Sequence, residues 1–158
     1  MRCLSIRQPW AWAIVESTKR IENRSWNCKY RGPILIHAAK GMTNQEYDGF
    51  YQFWTEELRR VETNVYPTPP RFNDLQRGGI IGRAEIVDCV HENEIGKFDR
   101  FPPERNRALV ALQSPWFFGP NGIVLDNVKA LPFIPYRGEL GLFEVPDHIT
   151  QEHVGALV

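Results

Sequence analysis

At 158 residues, 42% hydrophobic and 24% charged, the chain is about one soluble domain long and holds enough apolar material for a core without disulfides or a metal. A formal net charge of +0 and a pI near 6.9 exclude a protein that grips a long duplex, because that affinity comes largely from Lys and Arg displacing counterions from phosphates. Cys3, Cys28 and Cys89 form neither a disulfide framework nor a CxxC pair, no signal peptide is evident, and no apolar run approaches the ~18 residues of a membrane helix, so a reducing, cytoplasmic setting away from membranes is expected.

The first element, RCLSI, reads as a short strand. Pro9 suits a helix start and PWAWAIVEST follows as that helix, with Trp10 and Ile14 on one face. KRIENRSW is extended, YRG turns at Gly32-Pro33, and PILIHA is a buried strand. Residues 43 to 61 give the clearest helical signal. Thr43 and Glu46 make a capping box, and Tyr47, Phe50, Tyr51, Trp54, Leu58 and Val61 recur at spacings of three and four. TNVYPTPPRFNDLQRGG is too rich in Pro and Gly to be regular and reads as a long surface loop. IIGRAEIVDCV alternates as a strand, placing Ile80, Ala84, Ile86 and Val90 inward and Arg83 and Glu85 outward. HENEIGKFDRFPPERN is a polar loop, and RALVALQ fits helix or strand equally. GIVLDNVKAL and LGLFEV are strands separated by the turn PYRG. Two helices and about six strands predict a single α+β domain spanning 1–158, with a strongly bent sheet or small barrel.

The chemistry concentrates near the N-terminus. On an extended segment Glu22 and Arg24 share a face, and Lys19 sits at its mouth with its direction free. A carboxylate beside a guanidinium and an ammonium serves either of two purposes: a plain salt bridge, or a catalytic group in which Lys19 acts as base or nucleophile, Glu22 shuttles a proton and Arg24 holds an anion. Trp10 and Trp26 are either core or base-stacking rings. His37, at the end of a buried strand, suits a rim position. Metal ligation has no second pair beside Cys89 and His91, and neither a phosphate-binding glycine loop nor a nucleophile elbow occurs, so no metal or cofactor is expected.

LSIRQPWAWAIV, TKRIENRSW and YRGPILIHAAKG, followed by GGIIGRAEIVDCV, SPWFFGPNGIVLDNVKAL and IPYRGELGLFEV, resemble the ASCH domain family of PUA-like pseudo-barrels. The resemblance covers nearly the whole chain except residues 42 to 77 and 91 to 106, and it marks about 42–78 as a helical and Pro-rich insertion. It implies a mixed, mostly antiparallel β-barrel flanked by helices, with a cleft lined by the first helix and the K-x-x-E-x-R strand. It also implies a role with RNA, single-stranded nucleic acid or a modified nucleoside. Some small bacterial members are amidohydrolases that deacetylate acetylated cytidine with a Lys, a Thr and a Glu. That Lys falls on Lys19 and that Thr on Glu22, a departure from their pattern; the Glu has no fixed counterpart beyond Glu92 or Glu94.

Two readings follow. As a binder, the protein would seat a nucleotide or short single strand, with Arg7, Lys19, Arg24 and Arg31 on phosphate or base edges, Trp10 or Trp26 stacked on the base, Gln8 and Asn23 on polar edges, and His37 at the rim. As an amidohydrolase or ribonuclease, it would use Lys19, Glu22 and Arg24 as its catalytic groups. The aromatic helix around Phe50 and Trp54 keeps a third, protein-interaction reading open unless that stripe is covered. Oligomeric state is not legible in the sequence.

Overall fold

The computed structural model describes residues 1–58 and 67–154 of the chain. Its six strands are β1 (Arg2–Ile6), β2 (Ile21–Arg24), β3 (Gly32–Ala38), β4 (Gly79–His91), β5 (Asn121–Pro135) and β6 (Leu142–Glu144). They form one mixed sheet in the order β2-β5-β4-β3-β1-β6. β1 and β3 run parallel, with Cys3 opposite Leu35 and Ser5 opposite His37; every other pairing is antiparallel. The sheet curls into a half-barrel. Although β5, β4 and β3 lie between β2 and β1 in sheet order, Arg24 on β2 donates from Nη2 to the Ser5 carbonyl on β1 at 2.6 Å. The domain is therefore the expected α+β architecture, a curled, mostly antiparallel sheet flanked by helices.

Among the described residues there are four α-helices: α1 (Trp10–Glu16), α2 (Asn44–Phe53), α3 (Asn106–Leu112) and α4 (Asp147–Val154). One of these the sequence leaves open between helix and strand, and one was not expected. RALVALQ resolves as helix because Ala108, Ala111 and Leu112 fall three and four apart and bury together. The C-terminal helix is too polar to announce itself by periodicity and docks through Ile149. The expected helix over 43 to 61 is regular to Phe53 and continues as a π-helical turn over Trp54–Leu58; Val61 lies outside the described residues. Its capping box forms as expected, with Glu46 N–H on Thr43 Oγ1 at 3.1 Å and Thr43 N–H on Glu46 Oε2 at 2.7 Å. No helix among the described residues is long and apolar enough to cross a membrane.

The core has three parts. Leu4, Ile6, Ile34, Ile36, Ala84, Ile86, Ile123 and Leu125 line the concave side of the sheet beneath Ala11 and Ile14 of α1. Cys3, Leu35, Ile80, Ile134, Phe143 and Val145 pack on the opposite face, so β1 and β3 carry buried apolar residues on both sides and show no simple in–out alternation. A third cluster joins Phe50 and Trp54 to α3, Trp116, Ile21 and Val90. The alternation expected for β4 therefore fails at one end. Ile80 faces away from Ala84 and Ile86, because the register shifts between Ile80 and Gly82 and one added residue reverses side-chain parity. Gly82 is required just past that bulge, since a Cβ there would stand 2.7 Å from Val15 Cγ2 of α1.

Candidate functional site

Lys19 follows α1 and precedes β2, so no strand geometry fixes its side chain. It folds under the Trp10 indole, 5.9 Å from the ring centroid, and is buried to 1% exposure. Its Nζ donates to the Ile21 carbonyl and to Glu22 Oε2, the latter at 3.0 Å. Glu22 Oε1 faces Arg24 Nε at 3.2 Å, as expected for strand neighbours two apart. The carboxylate thus stands between an ammonium and a guanidinium. Burial lowers the Lys19 pKa below its ordinary value, an effect that the Glu22 charge opposes. Arg24 Nη2 is held by the Ser5 carbonyl, while its buried Nε faces Glu22 without a hydrogen bond.

Ser5 carries the network onward. Its Oγ lies 2.9 Å from His37 Nδ1, and His37 Nε2 lies 2.9 Å from the Tyr136 carbonyl. A carbonyl only accepts, so Nε2 bears the proton, Nδ1 accepts, and the Ser5 hydroxyl donates. Burial holds the His37 pKa below its usual value, which keeps the ring neutral. Gly138 passes directly over this pair, and a Cβ there would stand 2.9 Å from His37 Nδ1 and 3.0 Å from Ser5 Oγ. Ser5 and His37 form one wall of a cleft of about 600 Å³ whose other walls include Lys40, Tyr136, Arg137 and Glu139. That volume is in the range of small-ligand sites.

The other expected residues are placed as follows. Arg7 makes a two-point ion pair with Glu46, at 2.7 and 2.6 Å, that ties the end of β1 to the start of α2. The buried Gln8 amide accepts from Trp12 N–H at 2.8 Å, capping α1 where Pro9 offers no side-chain cap, and donates to the Gln76 carbonyl at 2.8 Å. Asn23 donates to the Trp116 carbonyl at 2.9 Å and accepts from Phe118 N–H at 2.8 Å, so it organises the 116–119 turn. Trp26 is half-buried against the concave core, and half-buried Trp10 meets Phe50, Phe53, Trp116 and Phe118 ring to ring. Arg31 bonds the Cys28 and Tyr30 carbonyls and pairs with Asp88. Lys19, Glu22, Arg24 and His37 therefore share one connected network through Ser5; Arg7, Gln8, Asn23 and Arg31 serve neighbouring joints. Glu94 is committed elsewhere, to Arg105 at 2.7 Å and to His91 N–H at 2.9 Å.

Sequence reasoning missed Ser5, Lys40, Tyr136, Arg137 and Gly138. Ser5 and His37 are adjacent through the β1–β3 register, and PYRG reads in sequence as an ordinary turn. A basic residue beside a turn glycine is the one local sign that this turn bounds a cleft. Among the described residues no group of three or more His, Cys, Asp or Glu side chains is placed to hold a metal ion.

The ASCH domain model matches residues 4–128. Over 101 residues the chain is 34% identical to human (Homo sapiens) Activating signal cointegrator 1 and 33% identical to the mouse (Mus musculus) protein. Each alignment takes in 63% of this chain but 16% of the relative, so the chain spans about a sixth of their length. The fold is similar to the crystal structure of ASCH from Zymomonas mobilis, with a TM-score of 0.50 and 14% identity, covering 99% of this chain and 94% of that one. A mutant form of the same protein matches with a TM-score of 0.50 and 14% identity over 99% and 96% of the two chains. The family match begins in β1, takes in the whole Lys19–Glu22–Arg24 segment and runs into β5: the chain belongs to the ASCH domain family, whose PUA-like fold is associated with RNA binding.

Proposed function

We propose that the protein recognises a short single strand of RNA or a modified nucleoside in the cleft between Ser5, His37 and the 136–140 turn. The observation that carries this reading is the continuity of the polar network. The Lys19–Glu22–Arg24 triad runs through the Ser5 backbone and hydroxyl to His37, and Ser5 and His37 wall a cleft of nucleotide size. Exposed Lys40 and Arg137 at the mouth supply mobile cations for a phosphate. A footprint of so few phosphates agrees with a net charge of +0.

Fluorescence anisotropy with a labelled single-stranded RNA, repeated across a salt series, tests it. The expected slope of log affinity against log salt is roughly −1 to −3, and Lys40→Ala or Arg137→Ala should each reduce it by about 1. Absence of binding, or a slope unmoved by both substitutions, would overturn the reading. A hydrolytic reading has one specific observation in its favour, the lowered pKa of Lys19, which favours the neutral amine a base or nucleophile requires. Incubation with acetylated cytidine and with short RNA decides between them. Product formation that vanishes in Lys19→Ala while ligand is still bound would make the protein a hydrolase; binding without product leaves it a recognition domain.

A further inference from the structure

The structure exposes one aromatic ring that the sequence did not single out. Phe118 has 54% of its surface open to solvent. Two half-buried rings meet it at steep angles: Trp10, at 5.7 Å and 75°, and Phe53, at 5.2 Å and 74°. Its backbone is fixed as well. Asn23 Oδ1 accepts from Phe118 N–H at 2.8 Å and from Gly119 N–H at 3.2 Å, while the same side chain's Nδ2 holds the Trp116 carbonyl. A phenylalanine anchored at both backbone and ring, yet half in water, gains little stability from its outer surface. It is, however, a preorganised platform, because little conformational entropy remains to be lost when another ring lies on it.

We infer that Phe118 is a base-stacking subsite, held by Asn23 from β2 and buttressed by Phe53 from α2, for a nucleobase of the bound single strand. The inference rests on the reading given under Proposed function. Its position suits that role. Trp10 links it to the buried triad, with its ring meeting Phe118 at 5.7 Å and lying 5.9 Å from Lys19 Nζ, while Asn23 and Arg24, adjacent in β2, project to opposite faces of the strand. Stacking needs only a π face, so the subsite accepts any base and favours purines for their larger ring area. The inference also gives the segment at about 42–78 a role: α2 delivers Phe53 to an edge contact with the Phe118 ring.

Labelled oligoadenylate and oligouridylate, titrated by anisotropy against wild type, Phe118→Ala and Phe118→Trp, test the inference. Phe118→Ala should weaken binding about 5- to 100-fold and leave the salt slope unchanged, since the ring contacts no phosphate. Phe118→Trp should restore wild-type affinity or exceed it, and 5-iodouridine placed in the oligouridylate should photocrosslink to Phe118. The exposed ring makes both variants fold, which a thermal melt verifies. If wild type and Phe118→Ala bind equally and the crosslink maps elsewhere, the stacking subsite is wrong and the cleft reading stands. If wild type binds neither oligonucleotide, both fall.

Discussion

Glu22 is the side chain on which the buried charges depend, because it faces Lys19 at 3.0 Å and Arg24 at 3.2 Å. Removing the carboxylate leaves two cations looking at each other in a poorly solvated place, whereas removing the ammonium leaves an intact carboxylate–guanidinium pair. Glu22→Ala should therefore cost about 3–5 kcal/mol in urea unfolding, and Lys19→Met clearly less. A larger loss for Lys19→Met would contradict this ordering. The alignment of Glu22 with Arg24 was legible in their two-residue spacing; the turn left the direction of Lys19 open, and packing under Trp10 settled it. The bonds of Gln8 and Asn23 were not. Their partners, Gln76, Trp116 and Phe118, are distant in sequence, and an amide offers two donors and an acceptor to ligand and backbone alike.

The elements themselves divide by how local their determinants are. α2 is specified within its own first turn, and Arg7 adds a further ion pair to the capping carboxylate. Thr43→Ala should cost about 1 kcal/mol by thermal or urea unfolding. The Arg7 guanidinium and the Thr43 backbone N–H draw the Glu46 pKa from 4.5 down to about 2. Its contribution is therefore present above pH 4.5 and is lost as the pH falls toward 2, by a small amount because the pair is largely exposed. Arg7→Met should flatten that segment of the stability–pH curve, because it removes the largest cause of the shift; an unchanged curve would place the acid sensitivity elsewhere. β4 shows the opposite case. Its apolar alternation predicted one inward face, but the bulges against β3 and β5 divide its side chains among three clusters. A bulge responds to the curvature of the whole sheet, and alternation within one strand carries no trace of it.

At the scale of the whole molecule, His37 joins three parts of the fold: β3, on which it sits, Ser5 of β1, and Tyr136 just beyond β5. Burial lowers its pKa from 6.5, so the unfolded chain takes up the proton first as the pH falls. The stability it contributes is complete above about pH 6.5 and declines below, toward the lower folded value. Melting temperature measured from neutral to mildly acidic pH should drop through this window, and His37→Gln should remove the drop. A wild-type curve flat across that range would mean the ring is not held neutral. The same cross-links close the half-barrel and bring the 136–140 turn over Ser5, and so create the cleft.

The sequence by itself determined the class of the domain, the order of its six strands along the chain, the capped α2 helix and the alignment of Glu22 with Arg24, because each depends on residues a few positions apart. Tertiary structure decided the curl of the sheet, the face that Ile80 takes, the joining of Ser5 to His37, and the exposure of Phe118. Those features arise where segments dozens of residues apart meet, and the energies that select them belong to the packed whole.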